Sequence, residues 1–505
     1  MGSAKVVGDS VNREPVELAP VVRELPADLD TPVSVFLKLC RTPPRFLLES
    51  VERGEQVGRY SFIGNSPHLV VQSTGDEAIV STKQGLRRVS LSSLPGSPDP
   101  LRLIQSLVSE CGVPRVPGLP RFFGGAVGYL SYDAVRFFEK VPDCSQDELR
   151  LPDATFLFSD TMVIFDHVQH KLKVVSSMPM TDGNPSARRE AADKVDDAIA
   201  ALRTAMPEGT RAGQTRTGNP APALISNVSR PQFVDMVKKA KEYILSGDAF
   251  QIVLSQRRRR KTSADPLSIY RALRMLNPSP YMFFLDFGNF QLIGSSPEML
   301  VRLEDGRAET RPIAGTRPRG KSEAEDRALI ADLLADEKER AEHTMLVDLG
   351  RNDIGRVCRF GSVKVPLYMS TEKYSHVIHI VSSVQGEMIA DDSPFDLLRA
   401  CFPAGTVSGA PKVRAMEIIA ELEGTKRGPY AGAVGYFGYG GNMDTCITIR
   451  TIVMIGDEVY LQGGAGIVAD SDPEREYEET LNKTRVLEDA VLLAESWKNG
   501  GVNCR

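Results

Sequence analysis

Cysteine, histidine and tryptophan are all scarce in this 505-residue chain, at 7, 6 and 1 residues. The cysteines, at positions 40, 111, 144, 358, 401, 446 and 504, stand far apart with no C-x-x-C pair. That spacing writes neither a finger-type zinc site nor a disulfide framework, so reduced, structural thiols are expected. No apolar run approaches the length needed to span a bilayer. The first residues, MGSAKVVGDSVNREP, lack the apolar core of a secretion signal, and Val6 stands where a myristoylation signal wants Ser or Thr. Neither sign of charge dominates: 61 Lys plus Arg face 66 Asp plus Glu, a net charge of -5. A nucleic acid or an anionic membrane is therefore not expected as partner, and an anionic ligand must be held by a local site. The expected compartment is the cytoplasm, although a plastid protein freed of its transit peptide would read the same way.

What is present is enough for a large core, with 42% hydrophobic residues and a length beyond one ordinary domain. Residues 18–177 carry short β-branched and aromatic runs, such as Leu69 to Gln72 and Thr161 to Asp166, separated by Gly, Pro and Asp turns. A helical stretch follows from about Ala187 to Ala205, and Met206 to Ala223 reads as an exposed linker. A second domain, 229–490, opens on a capping box of Ser229 and Gln232, with Phe233, Val237, Ala240 and Ile244 at helical spacing up to Gly247. Strand-like runs, Gln251 to Ser255 and Tyr281 to Phe287, then mix with long helices, which predicts an α+β fold. GAVGY occurs at 125–129 and again at 432–436. Two strands needing Gly for close backbone approach explain this better than a duplication.

Ser322 and Glu325 form another capping box, and Leu329, Leu333 and Leu346 follow on or near one helical face, with Gly350 as the expected stop. Glu339 and Glu342 lie on that helix. A later helix has Ser471 or Asp472 as N-cap and Pro473 at its first position, and its Glu476, Glu479 and Lys483 point one way. An isolated E-x-x-E is ordinarily a solvated face. Were the two helices to face each other, four carboxylates would meet, an arrangement that calls for a cation such as Mg²⁺.

The surrounding motifs decide between these readings. GDAFQIVLSQR (247–257), GSSPE (294–298), RPIAGTRPRG (311–320), DEKERAEHTMLVDLGRND (336–353), FPAGTVSGAPKVRAMEII (402–419) and GGAGIVADSDP (463–473) resemble the chorismate-utilising enzyme family over nearly all of residues 229–483. The resemblance implies an α+β sandwich of antiparallel sheets flanked by helices, with the site in a cleft and an N-terminal β-rich regulatory domain. It implies Mg²⁺ on Glu342 and Glu479, with Glu339 and Glu476 close by through water. It assigns the ring carboxylate of chorismate to the metal and the enolpyruvyl carboxylate to Arg450 and Tyr430, where a guanidinium fork suits a planar anion. Gly464, Ala465, Gly466 and Lys483 complete the anion pocket, and the loop from Ala404 to Gly409, with Thr406, lines it. GTVSGAPK does not have the residue order of a phosphate loop.

Glu298 corresponds to the acid that protonates the departing C4 hydroxyl; the alternative is a strand-end Glu in water. His343 corresponds to a catalytic histidine, the alternative being a packed core residue. His376 and His379 read as structural, and the basic run Arg257 to Lys261 as the solvated end of a strand.

Two positions separate the chemistries of the family. Gln251 stands where members that add water at C2 place a Lys base, and Ala314, before Gly315 and Thr316, stands where aminodeoxychorismate formation uses a nucleophilic Lys. The pattern fits amination of chorismate with loss of pyruvate, giving anthranilate. Ammonia must come from a separate glutamine amidotransferase subunit, since no cysteine lies in a G-x-C-x-G nucleophile elbow. LLES (47–50), GRYSFIG (58–64) and NPSPYMFF (277–284) resemble the family's tryptophan feedback site, with Glu49 and Ser50 for the amino group and Pro280, Tyr281 and Met282 packing the indole. The rival readings are aminodeoxychorismate formation and a non-catalytic tryptophan sensor on the same fold.

Overall fold

The computed structural model describes residues 16–50, 58–96, 98–112, 118–143, 146–180, 186–207, 223–373 and 377–498. Two large sheets, one of 13 strands and one of 12, make up the centre among these residues. Within the two sheets the strand pairing is antiparallel except for the short parallel contact that sets Val16 beside Cys111; an isolated bridge of Gln146 with Thr425 is also parallel. Helices cover the outer faces. The alternation along Tyr281–Asp286 explains the layering: Phe283 and Leu285 enter the core between the sheets, while Met282 and Phe284 join the core beneath the outer helices. A strand buried on both faces needs apolar residues at both parities, so the run reads YMFFLD rather than alternating with polar residues.

Strands from before and after the linker share both sheets. In the first, Arg45–Glu49 pairs with Tyr281–Asp286, setting Glu49 opposite Met282. In the second, the two GAVGY segments are partners, with Gly435 opposite Gly128. A Cβ on Gly128 would run into the carbonyl oxygen of Thr155, and one on Gly435 would lie 2.1 Å from that of Asp444. Close backbone approach is therefore the reason for the repeated glycines.

The segment after Ser322 forms two helices. Glu323–Ala335 ends at Asp336, whose carboxylate accepts from the backbone N–H groups of Lys338 and Glu339 and so starts Glu337–Gly355. The expected stop at Gly350 does not occur; that glycine faces Thr310, whose Cγ2 would lie 3.0 Å from a Cβ added there. The final helix, Pro473–Lys498, is capped by Asp472, whose carboxylate accepts from Arg475 N–H. The basic run also departs from expectation. Gln251–Lys261 is a single strand, with Arg257 and Arg260 buried against Glu148 and Glu495. Those two charges are held in ion pairs within the fold, while Arg259 and Lys261 are exposed as the solvated-end reading expected. Most of the linker expected at Met206 to Ala223 lies outside the described residues, as do His376, Cys144 and Cys504. The five described cysteines are free thiols. No helix among the described residues is long and apolar enough to cross a membrane.

Candidate active site

Glu298 sits where the chain crosses from one sheet to the other, between the strands Phe290–Ser296 and Met299–Glu304. Its carbonyl accepts from Ile447 N–H at 3.1 Å, and Ser296 Oγ donates to the Ile447 carbonyl at 2.6 Å, which fixes the crossover. Burial pushes the Glu298 carboxyl up to about 7, against the opposing pull of Thr406, Arg450 and Lys483. A carboxyl in that range holds a proton near neutrality and can give it up, as a general acid must. Thr406 comes from the short turn Gly405–Val407 and shares a small cleft with Glu298 and Ala404.

Arg450 has a left-handed backbone, with φ of 50°, and its neighbourhood includes Tyr430, Glu479 and Glu298. Ala431, next to Tyr430, is also left-handed at 64°. Such conformations cost an L-residue roughly 1–3 kcal/mol and concentrate where a side chain must be aimed. The Ala431 N–H bond to the Thr448 carbonyl, at 2.9 Å, ties the two segments together.

Gly464, Ala465 and Gly466 lie on the strand Glu458–Ile467, paired on one edge with Gln251–Lys261. Pairing on the other edge ends at Leu461, leaving N–H groups of the glycine segment without a strand partner among the described residues. The missing side chains are filled from outside: the Tyr430 hydroxyl is 2.7 Å from a Cβ built on Gly464, and Gln251 takes that place at Gly466. Lys483 Nζ reaches the Gly464 carbonyl at 2.9 Å and Glu479 Oε1 at 2.5 Å.

Gln251 Nε2 donates to Glu342 Oε1 at 3.3 Å, and its own Oε1 is buried without a partner among the described residues. Ala314, Gly315 and Thr316 form an irregular edge strand, with Gly315 at φ of 67° and room for only 3.2 Å between a Cβ there and Glu339 Oε2. Thr316 and the Gly315 carbonyl both contact His379 Nδ1, a structural setting for that ring.

The carboxylates occur as two pairs. Burial raises the Glu339 carboxyl, and Glu342 and Asp336 raise it further. Burial also raises that of Glu476, which feels both Glu479 and, from the other helix, Lys338. Among the described residues no group of three or more His, Cys, Asp or Glu side chains is close enough to hold a metal. The expected four-carboxylate cluster is therefore not closed. Like charges gathered without a cation repel, and here Lys483, Gln251 and Arg317 hold Glu479, Glu342 and Glu339 instead. The donor set nevertheless fits Mg²⁺: hard carboxylate oxygens, few enough to leave coordination positions for water and a ligand carboxylate.

His343 is fully buried, and burial pushes its pKa down to about 4. Ser382 Oγ accepts from Met369 N–H at 2.9 Å and shares a hydrogen bond of 2.6 Å with His343 Nε2, whose direction follows the ring tautomer. Its Nδ1 is buried without a partner among the described residues.

A second, larger cavity of about 800 Å³ lies apart from this cleft and brings together Glu49, Ser50, Pro280, Tyr281 and Met282. Glu49 accepts from Arg274 at 3.1 Å and from the Tyr270 hydroxyl. Tyr281 donates to Asp444 at 2.9 Å, which also binds Arg302. Ser50 Oγ is buried without a partner among the described residues. Residues 51–57 of the motif lie outside the described set.

The sequence pattern of the chorismate binding enzymes matches residues 43–489. The chain belongs to that family. Relatives include anthranilate synthase component 1 of Acetivibrio thermocellus, 48% identical over 94% of this chain and 95% of that protein. That of Pseudomonas aeruginosa is 46% identical over 97% and 98%. The crystal structure of anthranilate synthase component I from Streptococcus pneumoniae superposes with a TM-score of 0.76 at 34% identity, covering 92% of this chain and 98% of that one. The menaquinone-specific isochorismate synthase of Escherichia coli, at 19% identity and a TM-score of 0.69, shares the fold.

One buried pair went unread in the sequence. Arg427 and Glu423 bond to one another beneath the cleft. Their four-residue spacing was a signal, but Gly424 ends the helix between them and masks it.

Proposed function

We propose that this chain is the chorismate-converting component of an anthranilate synthase, a lyase that forms anthranilate and pyruvate from chorismate and ammonia in tryptophan biosynthesis. The observation that carries the reading is the buried Glu298 carboxyl, poised near neutrality beside Arg450 and Lys483 in a chain matching its relatives nearly end to end.

Arg450 and the Tyr430 hydroxyl hold the enolpyruvyl carboxylate, with Lys483 and the N–H groups of Gly464–Gly466 completing the anion pocket. Glu298 gives its proton to the C4 hydroxyl as ammonia adds at C2. Gln251, a neutral amide, cannot deprotonate water, which favours ammonia over hydration. Ala314 offers no nucleophile for covalent amination. Glu342 and Glu479 would hold Mg²⁺, with Glu339 and Glu476 contacting it through water, and the ion would neutralise the ring carboxylate. Removal of the C2 proton then expels pyruvate, driven by aromatisation. His343 is the candidate base.

The component 1 of the relatives' names implies a second component, here a glutamine amidotransferase supplying ammonia. Residues 18–177 carry half of a tryptophan site, in which Ser50 and Glu49 take the amino group while Pro280, Tyr281 and Met282 pack the indole. A reaction in the cytoplasm suits this biosynthetic role. The test is anthranilate fluorescence from the purified chain with chorismate and Mg²⁺. Product from ammonium but not from glutamine supports the reading; chorismate consumed without anthranilate would move the activity to a sister enzyme.

A further inference from the structure

Arg427 makes an unusual set of bonds for a residue outside the cleft. Only 2% exposed, it donates through Nη1 to the Val407 carbonyl at 2.7 Å and through Nη2 to the Val253 carbonyl at 2.6 Å. The same guanidinium forks onto Glu423, at 2.6 Å from Nη2 and 2.9 Å from Nε. Its carbon lies 5.8 Å from the centre of the Tyr430 ring and 4.6 Å from that of Tyr132. Glu423 Oε1 in turn accepts from Ser255 N–H at 2.7 Å and Ser255 Oγ at 3.0 Å, and Ser255 faces Gly464 across the strand pair.

Each contact leads to a different part of the site. Val407 follows Thr406 in the turn beside Glu298. Val253 is two residues along the strand from Gln251. Tyr430 reaches the place a Gly464 side chain would fill. Arg427 thus joins these three elements through two hydrogen bonds and a ring contact. A planar guanidinium can serve two carbonyls and a bidentate carboxylate at once, and an ammonium cannot.

We propose that Arg427, oriented by Glu423, is a positioning residue that sets Tyr430, the Thr406 turn and the Gln251 strand in register for chorismate. The inference rests on the chorismate reading above. A purely structural ion pair would govern how much protein folds, whereas a positioning pair governs how well the folded site takes its substrate.

The test uses the full chain with Arg427→Lys and, as a near-isosteric change less prone to misfold, Glu423→Gln. Folded fraction is read by near-ultraviolet circular dichroism, and kinetics are followed with chorismate and ammonium. The KM for chorismate should rise about tenfold in Arg427→Lys and about threefold in Glu423→Gln, while the KM for ammonium stays within about twofold. If Arg427→Lys does not fold, Glu423→Gln decides alone. Variants that melt earlier but keep both KM values per folded molecule overturn the inference. Wild-type protein making no anthranilate would overturn the functional reading itself, a failure visible before any variant is compared.

Discussion

The cleft around Glu298 and the cavity around Ser50 treat polar groups differently. In the cleft, Gln251 Oε1 and His343 Nδ1 are buried without partners, and the Glu298 carboxyl is lifted by burial. In the cavity, the carboxylates of Glu49 and Asp444 are already held by Arg274, Tyr270, Tyr281 and Arg302, while Ser50 Oγ, the Tyr436 hydroxyl and Arg121 Nε are buried without partners among the described residues. Unmet bonding capacity costs about 1–3 kcal/mol per buried group and is tolerated where a ligand or a reacting centre supplies the partner. On the proposed reading, chorismate would supply those partners in the cleft and tryptophan in the cavity.

The sharpest way to break this contrast is Glu298→Gln. It keeps the shape and removes the acid, so kcat should fall on the order of 10²–10⁴-fold while tryptophan binding stays unchanged. Turnover that survives would put the acid elsewhere. Arg450→Lys keeps the charge but not the fork, and kcat/KM for chorismate should drop on the order of 10–10²-fold in steady-state assays. A drop in kcat alone, at constant KM, would remove Arg450 from carboxylate binding.

Proton supply gives the next effect. With the Glu298 carboxyl near 7, its protonated form is lost as pH rises, so kcat/KM at constant free ammonia should decline about tenfold per unit well above 7. A profile flat to pH 9 would exclude this carboxyl as the acid. Smaller still, Ser50→Ala should weaken tryptophan inhibition about three- to tenfold, the worth of one hydrogen bond, and leave kcat untouched.

Much of this was legible in the sequence because local chemistry agreed with the final packing. The strand Thr161–Asp166, the Ser229 capping box and the Pro473 helix start all follow from side chains acting on their own backbone. The misreadings came where distant residues decide. Arg257 and Arg260 look solvated until Glu148 and Glu495 arrive from far along the chain. The stretch from Ser322 to Gly350 read as one helix, yet the Asp336 carboxylate caps a second one within it. The four glutamates fall on the expected helices, but how closely opposing carboxylates approach depends on which cations hold them. Strand register, not visible from either motif alone, is what brings Glu49 opposite Met282.

The central claim is that the acid cleft and the tryptophan cavity are separate sites. It is tested most directly by calorimetric titration of L-tryptophan into Glu298→Gln and into Ser50→Leu, where the added bulk fills part of the cavity. The account predicts wild-type affinity in the first and a loss on the order of tenfold or more in the second. Tryptophan binding lost in Glu298→Gln but kept in Ser50→Leu would contradict it.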